Sequence, residues 1–268
     1  MFDSKFLKGK THMKIANLGL DASMPKSKRP NGYVIYRGAS MINGDPIVVI
    51  AITKSSNKKT GNMVQTYILP DNGQLPVANA KALNDEAVCG DCKHRRGKGG
   101  SCYVNLGQGV TVVTKAYLAG KYPHLLSYHA DLFEGRNVRL GTYGDPAAVP
   151  TLIWELMLSK ANAWTGYTHQ WHKSLTDPRL MQYCMASVDS DDEFLQAQSM
   201  GYRTFRVRLK DQPLLAKEFM CPASEEAGKR KLCTDCKACD GGVDTHKASP
   251  AIIVHGTLKN RFIPLRAI

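Results

Sequence analysis

The chain has 268 residues, of which 43% are hydrophobic and 22% are charged, as in ordinary globular proteins with one large domain or two small ones. No apolar run approaches the roughly 20 residues that span a bilayer, and the N-terminus lacks the apolar stretch of a secretory signal. These features argue against a secreted or helical membrane protein and predict a cytoplasmic one. Thiols stay reduced there, so clustered cysteines favour metal binding over disulfides.

The net charge of +13 is concentrated in three segments. The first 40 residues carry eight Lys and Arg against two Asp, and two further basic runs occupy residues 93–98 and 229–231. Because Lys and Arg neutralise phosphates, these basic segments make nucleic acid a candidate partner. Both later runs lie inside cysteine clusters, where cations would equally offset the negative charge of a thiolate-bound centre.

The first third of the chain predicts an arm followed by a small sheet. Residues 1–32 are polar and basic, contain Pro25, Pro30 and Gly32, and predict a basic arm that need not be ordered. Apolar, β-branched runs bounded by Gly, Asn and Pro predict strands at 33–36, 46–52 and 63–69. The segment 33–87 is therefore predicted to be a small antiparallel β unit.

From residue 88 to the end, strand and helix patterns alternate. The predicted strands are 137–143, 163–168, 185–188, 202–209 and 251–254, and the predicted helices are 110–119, 150–158, 177–184 and 190–200. Short strand–helix units at this spacing predict an α/β fold whose parallel strands form a partial (β/α) barrel. In such folds functional residues gather just after the strands.

Seven of the eight cysteines fall into two clusters, and the first reads Cys89-x2-Cys92-x9-Cys102. Two cysteines separated by two residues can place both sulfurs on one metal centre. His94 would be a fourth ligand if the site held zinc. Alternatively His94 is a loop histidine, and the fourth position stays open to a small molecule, as in a reactive iron–sulfur centre.

The second cluster contains four cysteines, Cys221, Cys233, Cys236 and Cys239, which suffice to close a site. Its C-x2-C-x2-C run and the adjacent Cys-Pro resemble the iron–sulfur run of ferredoxins, so iron–sulfur is favoured and structural zinc is the alternative. The remaining cysteine, Cys184, ends a predicted helix and is expected to be a buried core thiol.

Polar or glycine residues follow two of the predicted strands. Gly141 and Gly144 would let the backbone approach a ligand, and Asp145 could hold an amino or hydroxyl group, although Gly-Asp-Pro is also a common turn. After the strand at 185–188, the acidic run is expected to cap the next helix. Ser187 and Asp189 could instead point into the barrel mouth.

Tyr167 and Thr168 end another predicted strand and lead into His169 and His172. These histidines are candidate acid–base groups or neighbours for a stacked base. The alternative is a strand end whose aromatic side chains pack on the core.

Six motifs occur in the same order as in a known group of proteins. They are Cys102-Tyr103, Gly144-Asp145, Tyr167-Thr168, Cys221-Pro222, the C-x2-C-x2-C run and His255-Gly256. Over about residues 88–256 the chain resembles phage and plasmid proteins with the "gene product 88" type domain. It is also remotely similar to radical S-adenosylmethionine (SAM) enzymes.

The resemblance implies that Cys89, Cys92 and Cys102 hold a [4Fe-4S] cluster whose open iron binds SAM, and that Gly144-Asp145 contact the SAM amino group. It implies a second, auxiliary [4Fe-4S] cluster on the four later cysteines. The usual radical SAM loop is C-x3-C-x2-C with a Glu in the later motif, whereas this chain has C-x2-C-x9-C and Asp145.

The sequence thus predicts an iron–sulfur protein of phage or mobile-element type, in the host cytoplasm if a phage encodes it. The first hypothesis is a radical-SAM-like enzyme acting on a nucleic acid or nucleotide, supplied by an electron donor. Asp145, His169 and Asp189 are its candidate catalytic residues. The second hypothesis is a non-catalytic or replication-associated nucleic-acid-binding protein whose zinc or iron–sulfur sites are structural. An open fourth position at the three-cysteine site favours the enzyme, and closure by His94 favours the binding protein.

Overall fold

The computed structural model describes residues 30–55, 57–125 and 132–263. The basic arm predicted for residues 1–32 lies almost wholly outside these ranges. Its predicted disorder and its predicted contact with nucleic acid therefore stay predictions.

Ten strands in the described residues form two five-stranded sheets. The first sheet has the order β1 (Gly32–Ala39), β2 (Pro46–Ile52), β3 (Val64–Pro70), β4 (Asn137–Tyr143) and β5 (Ala163–Thr165). Strands β1 to β3 pair antiparallel, as predicted, whereas β3, β4 and β5 pair parallel. Strand β3 therefore joins the N-terminal antiparallel unit to the parallel strands within one sheet.

The second sheet is parallel throughout and has the order β6-β7-β8-β10-β9. Its strands are β6 (Tyr167–Thr168), β7 (Met185–Val188), β8 (Thr204–Arg208), β9 (Glu218–Met220) and β10 (Ser249–Ile253). The predicted α/β class with parallel strands is confirmed, but the described strands do not close into a barrel.

The two sheets meet at Gly166, which separates β5 from β6. A Cβ atom at this position would lie 2.5 Å from the carbonyl oxygen of Tyr183 and 2.9 Å from Cys184 Sγ. Such distances are shorter than van der Waals contact, so only glycine fits where the chain turns from one sheet into the next. The single strand predicted for 163–168 is interrupted for this reason.

The helices are short. They are α1 (Pro76–Lys81), α2 (Glu86–Cys89), α3 (Thr111–Leu118), α4 (Thr151–Leu158), α5 (Asp191–Ser199) and α6 (Cys233–Cys236). The predicted helix at 177–184 is instead a 3-10 turn over Pro178–Gln182, with the Asp177 side chain accepting a hydrogen bond from its first turn. In the described residues, no helix is long and apolar enough to cross a membrane.

The larger hydrophobic core covers the first sheet and includes the fully buried side chain of Trp154 on α4. Its indole Nε1 donates a hydrogen bond to the carbonyl oxygen of Pro146 at 3.0 Å. A smaller core around Trp171, Val188 and Phe194 covers the second sheet. Packing of α4 therefore holds the turn that follows β4, where the sequence predicted ligand-binding residues.

Candidate active site

A cavity of about 340 Å³ lies at the carboxyl ends of the parallel strands. Residues that directly follow β4, β6, β9 and β10 line it. All seven clustered cysteines line it as well: Cys89, Cys92, Cys102, Cys221, Cys233, Cys236 and Cys239. The two clusters, far apart in sequence, thus share one cavity, at the edge where parallel α/β sheets place their ligands.

Most of the strand-end residues predicted for the site line this cavity. They are Gly141, Gly144, Asp145, Tyr167, His169 and Ser187. Thr168 is completely buried behind the wall, where its hydroxyl accepts a hydrogen bond from the Gln170 N–H at 2.9 Å. Asp189 is also behind the wall, where its carboxylate lies 2.7 Å from the cavity-lining residue His94. His172 is absent from the lining and packs edge-on against Trp171.

The first cysteine loop is folded around the buried side chain of Arg95. Its guanidinium lies 2.6 Å from the Asp85 carboxylate and also donates to the carbonyl oxygens of Leu83, at 2.6 Å, and Gly90, at 2.8 Å. Charge-assisted hydrogen bonds of this kind are among the stronger ones in proteins. Arg95 therefore fixes the backbone between α2, which ends at Cys89, and the rest of the loop.

Two basic side chains of the run inside this loop form ion pairs within the protein. Arg95 is buried, and the Lys93 ammonium pairs with two carboxylates at 2.7 and 3.0 Å. In the second basic run, Lys229, Arg230 and Lys231 are exposed. The structure therefore explains part of the local positive charge by internal ion pairs, and contact with nucleic acid stays a prediction.

His94 has partners at both ring nitrogens. Its Nδ1 lies 2.8 Å from Ser101 Oγ, its Nε2 lies 2.7 Å from Asp189 Oδ2, and Phe262 stacks on the ring with centroids 5.6 Å apart. A histidine binds a metal through a ring nitrogen, and neither nitrogen of His94 is directed at the cysteines. The zinc ligand role considered for His94 is thus not supported by this arrangement.

Asp189 is held as a carboxylate by its surroundings. Burial alone would raise its pKa, but the hydrogen bond with His94 and the nearby charges of His94 and Lys93 hold the pKa at about 2. His94, His169 and Asp189 bring donor atoms within 4.8 Å of one another, as a metal site would. However, Lys93 Nζ is 3.0 Å from the same Asp189 oxygen, and its positive charge opposes a cation there.

Asp145 joins the ends of β4 and β6. One carboxylate oxygen accepts a hydrogen bond from the Ala147 N–H at 3.0 Å, and the other accepts from the His169 N–H at 2.7 Å. Burial raises the pKa of this carboxyl group, which those hydrogen bonds and the nearby His169 partly offset. Asp145 is therefore the cap of the Gly-Asp-Pro turn and also part of the cavity wall.

Gly144 allows the turn before Asp145 to sit tightly against β3. Its φ is +82°, a region that favours glycine, and a Cβ would lie 2.7 Å from the Ile68 Cβ and 2.9 Å from the Ile68 carbonyl oxygen. The predicted close approach at this glycine is thus made to the protein's own strand β3.

The four-cysteine segment is anchored to both sheets. Cys221 directly follows β9, and its N–H donates to the backbone of β10 at 2.8 Å. The Cys233 N–H donates to the Lys59 carbonyl oxygen at 3.1 Å, and the Cys239 carbonyl oxygen accepts from the Gly166 N–H at 3.3 Å. Cys184, in contrast, is completely buried outside the cavity, which confirms it as a core thiol.

Burial raises the pKa of six of the seven clustered thiols, which favours their neutral form at pH 7. Burial raises the pKa of Cys92 to about 12, of Cys102 to about 11 and of Cys239 to about 12. In the described residues, no three cysteine sulfurs lie within 4.8 Å of one another. The sulfurs around one tetrahedral zinc ion would lie about 3.8 Å apart, given zinc–sulfur bonds of about 2.3 Å. The cysteines therefore do not form a ready site for a single zinc ion.

Sequence reasoning missed three cations in the cavity wall, Lys59, Arg139 and Lys237. Arg139 interrupts the apolar pattern of β4, which is the only signal that the sequence offers for it. Lys59 lies in a polar turn and carries no such signal.

Comparison with known proteins gave no match to a family model, to a curated protein or to a solved structure. The resemblance based on the six motifs therefore stays a prediction.

Proposed function

We propose that this protein is an iron–sulfur enzyme of the radical-SAM-like type, with its chemistry in the shared cavity. The observation that carries the proposal is the engagement of both His94 ring nitrogens by Ser101 and Asp189, at 2.8 and 2.7 Å. Cys89, Cys92 and Cys102 then form a three-sulfur set without a protein ligand at the fourth position, on a wall of the cavity. Such a set is what a cluster with one open iron requires.

The sulfurs are not gathered around one point as a single zinc ion requires, which leaves a cluster as the proposed occupant. The cysteines of each group sense one another's charge, since Cys92 and Cys102 both raise the pKa of Cys89, yet no three sulfurs are close enough for one ion. A cluster of several irons and sulfides holds its ligands farther apart than a single ion does. The four later cysteines would hold an auxiliary cluster across the same cavity.

A bound [4Fe-4S] cluster on the three-cysteine loop would supply an open iron for SAM and one-electron chemistry. The residues of the chain would shape the site around the cluster. Gly144 lets the backbone turn tightly, Asp145 presents a buried carboxyl group to the cavity, and Arg95 holds the loop rigid. The parallel strands would serve as an incomplete barrel, with a nucleotide or nucleic acid as substrate and a separate electron donor.

The test is the iron content and visible spectrum of anaerobically purified protein, followed by an assay for SAM cleavage. We expect about eight irons per chain, four for each of two clusters, and a broad absorbance of iron–sulfur type. Cys92→Ala and Cys236→Ala should each lose about half of the iron. Cys184→Ala is the matched control, because its sulfur lies outside the cavity.

Three outcomes would contradict the proposal. A colourless protein with one or two zinc ions would leave the zinc-stabilised nucleic-acid-binding protein. Iron that binds without SAM cleavage would leave a structural iron–sulfur protein. Equal iron loss in Cys92→Ala and Cys184→Ala would show that the cavity cysteines are not the ligands.

A further inference from the structure

Arg139 brings a positive charge into the cavity from β4. Its Nη2 donates a hydrogen bond to the Tyr103 hydroxyl at 2.7 Å, and its buried Nε has no hydrogen-bond partner. The polar groups that face it are the hydroxyls of Tyr103 and Tyr167 and the sulfur of Cys233. None of these is a carboxylate.

The four fully buried arginines of the described chain, unlike the half-buried Arg139, are each neutralised. Their partners are Asp85 for Arg95, Asp240 for Arg203, Glu218 for Arg206 and Glu226 for Arg208. In contrast, the described residues place no carboxylate within ion-pair distance of Arg139. A buried charge without a partner is costly, so proteins pair it or use it to bind a ligand.

The residues around Arg139 indicate the chemical character of the rest of such a ligand. The cavity wall beyond the guanidinium is apolar and partly aromatic, with Phe205, Val207, Phe219 and Ile252 on strands of the second sheet. Arg139 lies near both cysteine groups, since its partner Tyr103 directly follows Cys102 and the Cys233 sulfur interacts electrostatically with its guanidinium. A molecule held here would lie near both groups.

We propose that Arg139 binds the anionic group, a carboxylate or a phosphate, of a small substrate whose apolar or aromatic body lies against the second sheet. The planar guanidinium suits both anions because it can donate two parallel hydrogen bonds. Anion binding at Arg139 stands on the geometry of the cavity, whereas the assignment of the anion to the substrate rests on the proposed function.

Arg139 has one competing role, as the counter-charge to the four-cysteine group. Lys59 is a second cation near that group: it lowers the pKa of both Cys221 and Cys233, although Arg139 acts on Cys233 more strongly. The group therefore has a cation of its own, and Arg139 remains available to a ligand.

The test is calorimetric titration of the full-length, metal-loaded protein with phenyl phosphate and, separately, with benzoate. The anion that binds shows whether the anionic group of the substrate is a phosphate or a carboxylate. Arg139→Gln should weaken binding about 10-fold to 100-fold, the range that a charge-assisted hydrogen bond supplies, with unchanged metal content. Arg139→Lys keeps the charge and should bind more tightly than Arg139→Gln. Arg179→Gln, which removes an exposed arginine, should bind like the wild type.

Failure of both anions to bind the wild type, or equal binding by Arg139→Gln and Arg179→Gln, would overturn the proposal. Loss of metal from Arg139→Gln with unchanged anion affinity would assign the residue to the counter-charge role instead. If Arg139→Gln does not fold, the proposal is tested instead by comparing the anion affinity of Arg139→Lys with that of the wild type. Because anion binding and iron content are measured separately, a zinc-containing protein would refute the proposed function without refuting the anion site.

Discussion

Arg206 on β8 and Glu218 on β9 form an ion pair whose two side chains are both 0% exposed. Arg206 donates to the two oxygens of Glu218 at 2.9 and 2.7 Å, and to Asp191 at 3.1 Å. Strand β10 lies between β8 and β9, so the pair reaches across it and fixes β9 directly before Cys221. We expect Arg206→Met to be among the most destabilising substitutions.

The cost follows from the charge that is left behind. Arg206→Met leaves the buried Glu218 carboxylate without its cation, which typically costs about 3–5 kcal/mol of unfolding free energy. Glu218→Gln should cost less, because Arg206 keeps the half-exposed Asp191 carboxylate as a partner. The double variant Arg206→Met/Glu218→Met buries no charge in this position, so it should recover most of the loss caused by Arg206→Met alone.

The assay is urea unfolding followed by circular dichroism, with metal content measured for every variant so that equally loaded proteins are compared. Arg179→Met is the control, because its ion pair with Asp177 is exposed and should contribute little to stability. A loss below about 1 kcal/mol for Arg206→Met would refute the reasoning. The reasoning would also fail if the losses of unfolding free energy from the two single substitutions add up in the double variant.

Three further predictions concern the site and its surroundings. Gly144→Ala should lower the melting temperature and metal content more than Gly120→Ala, because both have positive φ but only Gly144 lacks space for a Cβ; equal effects would contradict the close packing. His94→Gln should retain its metal by elemental analysis, since His94 is not a ligand, and metal loss would refute this. Deleting residues 1–29 should weaken nucleic-acid binding and flatten its salt dependence in anisotropy titrations; unchanged binding would exclude the arm.

The regular elements that the sequence predicted well are those with long apolar or periodic patterns. Strands β2, β4 and β7 have their predicted bounds, because runs such as Pro46–Ile52 are apolar and bounded by turn residues. Helix α5 begins as predicted, with the Ser190 side chain accepting a hydrogen bond from the Glu193 N–H. Local chemistry is enough in these segments, since capping and burial favour the same structure.

The elements that the sequence missed, among them the six-residue helix α1, are too short to show a repeating hydrophobic pattern. Helices α2 and α6 have four residues each, and β9 has three. Strand β9 exists because it pairs with β10 and because Arg206 neutralises Glu218, a contact from a distant segment. The predicted helix at 177–184 becomes a 3-10 turn, with Asp177 and Pro178 still placed at its start.

The sequence by itself determined the chemistry available to this protein: two cysteine clusters, a Gly-Asp turn and strand-end histidines. The three-dimensional fold establishes that both clusters share one cavity and that Ser101 and Asp189 engage the His94 ring nitrogens. It also establishes that no carboxylate of the described residues pairs with Arg139. The physical reason is that ligand sets and unpaired charges depend on distances between strands far apart in sequence, which hydrophobic periodicity does not encode.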